Sequence, residues 1–126
     1  MKLISSLFLA ALAALPASAQ QSTREDFKEY CKIVSGRWVG ENPLEADWPG
    51  IGKRGEKLTI YYEGTVAEDG HVLLGRFFQG PGSGMEVLVY DAAAKQIRAS
   101  GGDSGGTTWL FVLYKKDGKW TSKGTN

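Results

Sequence analysis

The chain has 126 residues, with 15 Lys and Arg against 14 Asp and Glu, a formal charge of +1, 17 glycines and one cysteine. That length suits one domain, and so even a charge argues against a nucleic-acid binder that works by neutralising phosphates. A single cysteine, Cys31, allows no disulfide within the chain.

Met1 and Lys2 precede an apolar run over residues 3–15, and Pro16-Ala17-Ser18-Ala19 follows it. A positive start, a hydrophobic stretch and an A-x-A cleavage pattern together predict a secretory signal peptide at 1–19. A single domain at 20–126 is then expected, exported to the periplasm or outside the cell. No later apolar run approaches the roughly 20 residues that span a bilayer, so no transmembrane segment is expected after cleavage. Export would place Cys31 where disulfides persist. It reads as a small buried hydrophobe, with a cross-chain disulfide or a reactive thiol as the sharper alternatives.

Ser22 and Glu25 fit a capping box, and Phe27, Tyr30, Cys31 and Val34 fall on one helical face. This predicts one short amphipathic helix over 22–34, ended by Gly36. From 37 onward the period becomes two. Trp38-Val39 opens a first strand that Asn42-Pro43 interrupts, and residues 42–56, holding Trp48 and two prolines, read as a long loop or lid. Leu58, Ile60 and Tyr62 alternate with Thr59, Tyr61 and Glu63, and Asp69-Gly70 marks a hairpin.

The next strand, 71–79, sets Leu73, Gly75 and Phe77 on one side and Val72, Leu74, Arg76 and Phe78 on the other. Further strands are expected at 85–90, 96–100, 107–115 and 119–123, with turns at 91–95, 101–106 and Asp117-Gly118. No crossover helices separate them, which excludes a parallel sheet. The fold class is therefore mainly β, an antiparallel meander curling into a barrel, with one N-terminal helix. Gly64 and Gly75 would permit the bends that closure needs.

Several clusters invite a chemical reading. Gly102-Asp103-Ser104-Gly105-Gly106 reproduces the pentapeptide around a serine-protease nucleophile, but that chemistry needs a histidine base and a buried aspartate. The only histidine is His71, at a hairpin exit, so the pentapeptide reads as a connecting turn. One histidine and one distant cysteine give no zinc spacing. Glu41, Glu45, Asp47, Glu63, Asp69 and Glu86 read mainly as solvated surface, any of them able to rim a cavity mouth. No catalytic residue, metal or cofactor is assigned.

The aromatic residues are more informative. In a small closed sheet they either fill the core or wall an apolar cavity. The expected cavity wall is Trp48, Ile60, Tyr62, Leu73, Phe77, Val87, Trp109 and Phe111. Trp48 stands apart, because it sits in the loop, where it would fold back as a plug or reach a ligand.

The order short helix, Gly36-Arg37-Trp38, antiparallel meander resembles the lipocalin or wider calycin group. The stretch 33–41, Ile-Val-Ser-Gly-Arg-Trp-Val-Gly-Glu, is similar to lipocalin-like domains of small exported bacterial proteins. The resemblance implies that Trp38 closes the bottom of a barrel beneath the helix, with Phe27, Tyr30 and Val34 above it. It also implies eight or more strands, whereas the alternation is still running at the last residues, as in a barrel cut short. A free sheet edge would invite self-association.

The leading expectation is thus a non-enzymatic exported domain that binds a small apolar molecule. The alternatives are an interaction module of the envelope with a filled interior and, less favoured, an enzyme on a calycin barrel.

Overall fold

The computed structural model describes residues 20–125, so the expected leader at 1–19 lies outside the described residues. Helix α1 spans Arg24–Val34, followed by strands β1 Gly36–Pro43, β2 Lys57–Ala67, β3 Val72–Gln79, β4 Gly82–Asp91, β5 Gln96–Asp103, β6 Thr108–Lys116 and β7 Lys119–Gly124. The strands lie in the sheet in chain order, each antiparallel to the next. The result is a seven-stranded meander curled into a half-barrel, in which, among the described residues, β1 and β7 each keep one unpaired edge. The mainly β meander expected from the two-residue rhythm is the observed fold.

Helix α1 begins two residues later than the pattern suggested. Ser22 is not its cap: its hydroxyl donates to the Leu113 carbonyl at 3.0 Å and its N–H to that of Lys95 at 2.8 Å, tying the N-terminal segment to the sheet. Thr23 caps instead. Its hydroxyl accepts from the Asp26 N–H at 3.1 Å, and the Asp26 carboxylate accepts from the Thr23 N–H at 2.7 Å. At the far end Gly36 has φ +104°, a left-handed conformation that glycine adopts without strain and that swings the chain into β1.

Three strand boundaries also move. β1 continues through Asn42 to Pro43, which pairs with Lys57 at the sheet margin, where a missing N–H is tolerated. β4 starts at Gly82 and β5 runs to Asp103, so glycines expected to break strands lie within them.

The register divides the side chains into two faces. Tyr62, Phe77 and Gly84 stand in one inward row, and Leu73, Leu88, Ala99 and Phe111 in another. The apolar stripe of α1 packs on this inner face: Phe27 and Cys31 meet Leu73, Leu88, Ile97, Ala99 and Leu113, with Tyr30, Val34, Tyr90, Phe111 and Trp120 at the margin. Phe27, Leu73, Leu88 and Ile97 are wholly buried, so one end of the half-barrel is filled.

Candidate functional site

The other end is closed by the 44–56 loop. Leu44 and Glu56 hold its base, the Leu44 N–H donating to Glu56 O at 2.8 Å, and Trp48 and Gly52 exchange backbone bonds at 2.9 and 3.0 Å. Ile51 is buried, and the backbone of Gly50 lies against that of Gly105 so closely that no side chain fits between them. The Trp48 indole N–H donates to Asp103 Oδ2 at 2.5 Å. Its ring tilts onto Phe77 at 5.8 Å between centroids, and Phe77 meets Trp109 at 6.1 Å. Trp48 is therefore a plug, one of the two roles the loop position suggested.

Asp103 anchors this plug. Its Oδ1 also accepts from the N–H groups of Gly105 at 2.8 Å and Thr107 at 3.1 Å. Burial pushes its carboxyl up, but the bonds from Trp48, Thr107 and Gly105 outweigh that and hold it below the ordinary value. The protease-like pentapeptide is thus a structural turn. Ser104 bonds Ser83 through both its backbone and its hydroxyl. His71 is exposed beside Arg24 at the opposite end of β3, which at about 3.3 Å per strand residue puts it roughly 25 Å away. No nucleophile–base pair exists there.

Between the helix-filled end and the plugged end, the inner face carries one carboxyl. Tyr62 donates its hydroxyl to Glu86 Oε1 at 3.3 Å, and the Trp109 indole lies beside the same carboxyl. Burial raises Glu86 above the ordinary carboxylate range, and the bonds from Tyr62 and Trp109 offset only part of this. The Tyr62 hydroxyl is pushed up by burial first, then by the neighbouring Glu86 charge. Tyr30 is raised by the same two causes.

Glycines make room for this arrangement. A Cβ at Gly75 would lie 2.5 Å from the Tyr62 hydroxyl and 2.8 Å from Glu86 Cγ. Phe77 stands directly opposite Gly84, and Trp109 opposite Gly101; in each pair the ring occupies the space a Cβ would need.

Beside Tyr62 the inner face opens laterally. Ile33 and Val34 of α1, with Trp38 and Tyr62, surround an apolar notch of about 330 Å³ at the β1 margin. Trp38 donates its indole N–H to the Val34 carbonyl at 3.1 Å, yet is 54% exposed. This corrects the expectation that Trp38 closes the bottom of a barrel: among the described residues no strand lies outside β1 to cover it.

The other expected wall residues divide clearly. Ile60, Tyr62, Phe77, Trp109 and Phe111 share the inner face. Leu73 is on that face but sealed beneath α1, in filled core rather than at a cavity. Val87 is misplaced: it faces outward between Leu74 and Ser100, because Glu86 and Leu88 take the inward positions of β4. Glu86 is the functional candidate that solvated-surface reasoning passed over, and its parity with Leu88 was the signal that could have found it. The other acidic candidates, Glu41, Glu45, Asp47, Glu63 and Asp69, are exposed; Glu63 pairs with Arg37 at 3.3 Å, Glu41 with Lys57, and Asp47 accepts from the Arg54 N–H at 2.9 Å.

Cys31 packs in the helix–sheet core, and burial pushes its thiol up, so it serves as a small hydrophobe. Among the described residues no three His, Cys, Asp or Glu side chains converge as metal ligands, and no helix is long and apolar enough to cross a membrane. No protein-family model, no curated protein and no solved structure matches this chain.

Proposed function

We propose that the chain is an exported, lipocalin-like domain that binds a small, mainly apolar molecule in the notch beside Tyr62. One observation carries the reading: α1 and the β1–β2 margin leave an apolar recess lined in part by Tyr62, whose hydroxyl donates to the half-buried carboxyl of Glu86. An apolar wall supplies affinity through burial, and one or two polar atoms orient the ligand. The helix-then-meander order and the signal-peptide pattern of residues 1–19 support the family and the export.

The test is a fluorescence titration with the neutral probe N-phenyl-1-naphthylamine, alongside native mass spectrometry of protein taken from an exporting host. Saturable one-to-one binding is expected, abolished by Ile33→Trp, which fills the recess while leaving the circular dichroism unchanged. Absence of both saturable binding and any co-purified small molecule would overturn the reading.

A second reading, an envelope interaction module with a filled interior, draws on the complete burial of Phe27, Leu73, Leu88 and Ile97 beneath the helix. It predicts no probe binding, so the same titration separates the two.

A further inference from the structure

Two features of β1 stand open at its outer margin. Trp38, although its indole N–H is bonded to the Val34 carbonyl, is a large ring standing 54% exposed at an edge that no strand among the described residues covers. Gly40, two residues on and on the same face, is a glycine without a structural demand: its φ is not in the left-handed region, and a Cβ there would meet only Ile60 Cγ2 at 4.0 Å. Elsewhere on this face two rings lie over the glycine directly opposite, Phe77 over Gly84 and Trp109 over Gly101. On β1 there is a ring without a glycine and a glycine without a ring.

We propose that β1 pairs antiparallel with β1 of a second copy of this chain, about a two-fold axis through Val39. Residues opposite one another in an antiparallel pair share a face, so a symmetric pairing must be centred on a residue. Centring on Val39 sets Trp38 opposite Gly40 of the second copy, and Gly40 opposite its Trp38, which would repeat the arrangement of the 77–84 and 109–101 pairs twice. It also sets Arg37 opposite Glu41 of the second copy, and the reverse, on the outer face. Centring on Trp38 would oppose Arg37 to Val39, and centring on Gly40 would oppose Val39 to Glu41; neither pairs charge with charge. Cross-strand pairs of opposite charge favour a register, and mismatched ones disfavour it.

Among the described residues nothing pairs with this edge. Val39 is 69% exposed, and Arg37 and Glu41 each have an in-chain partner, Glu63 and Lys57, yet keep most of their side-chain surface in solvent. A guanidinium carries five donors and can serve two carboxylates at once. β7, the other free edge, carries Lys119 and Lys123, the kind of charge that discourages strand addition. Pairing through β1 also brings the second copy alongside the notch formed by Ile33, Val34, Trp38 and Tyr62.

Sedimentation velocity of the protein from an exporting host tests this with complementary charge variants. The unaltered chain is expected to sediment at twice the monomer mass. Arg37→Glu alone and Glu41→Arg alone are each expected to be monomers, because every cross-axis pair then repels. An equimolar mixture of the two is expected to regain the doubled mass, since each charge now faces its opposite. If either variant loses its β-sheet circular dichroism, Val39→Lys, which sets like charges on the axis, replaces it and is expected to be monomeric. The proposal is overturned by a monomeric unaltered chain at high micromolar concentration, by a single variant that stays dimeric, by a mixture that stays monomeric, or by a different polypeptide bound along β1.

Discussion

Tyr62, Glu86 and Gly75 act as one unit at the centre of the inner face. Gly75→Ala sets a methyl 2.5 Å from the Tyr62 hydroxyl and 2.8 Å from Glu86 Cγ, so one of them must move. Overpacking of this kind costs about 1–3 kcal/mol, and urea denaturation is expected to report a lower midpoint at unchanged slope. Glu86 itself ties stability to pH. Burial favours its neutral acid, so the folded chain keeps that proton to higher pH than the unfolded chain does. The associated stability is complete below the ordinary carboxylate range and declines as the pH rises through the raised value. Glu86→Gln, whose amide oxygen still accepts from Tyr62, is therefore expected to raise Tm at neutral pH and to leave it unchanged near about pH 4. Paired thermal melts check this, and a difference constant with pH would contradict it.

Helix α1 is too short to persist alone and is held by what its stripe touches. Phe27 is wholly buried between α1 and β3–β6, and Phe27→Ala is expected to cost about 3–5 kcal/mol, a large share of the roughly 5–15 kcal/mol typical of a domain. Chemical denaturation followed by circular dichroism measures it. The stripe was legible in the sequence, because Phe27, Tyr30, Cys31 and Val34 repeat at helical spacing. The cap was not, because Ser22 is drawn away by a bond to β6, distant in the chain. β3 was legible for the same local reason as the stripe, since its alternation is unbroken. β4 was legible over 85–90, but its start was not, because Gly82 and Gly84 imitate a turn, and neither was its inward face, because an acid takes an inward position.

For the whole molecule, the meander could be read because every strand pairs with its chain neighbour and local turn chemistry marks each reversal. Its closure could not. The docking of the 44–56 loop on the 103–106 turn, and the exposure of Trp38 at the β1 margin, depend on contacts that no short window contains. Of the expected wall, the inward positions on β2, β3 and β6 followed from alternation. The Glu86 centre emerges only when β2, β4 and β6 are brought side by side.

The ring-over-glycine packing carries a consequence for how such a chain can drift. Phe77 with Gly84, and Trp109 with Gly101, each divide one volume between two positions. A larger residue becomes tolerable at 84 only in a background where 77 has already shrunk, whereas at 101 a Cβ would also meet the Met85 carbonyl oxygen at 2.5 Å, so shrinking 109 alone does not open that position. The 77–84 pair is thus inherited as a joint character, and the step between its two solutions passes through an intermediate that is either overfilled or hollow.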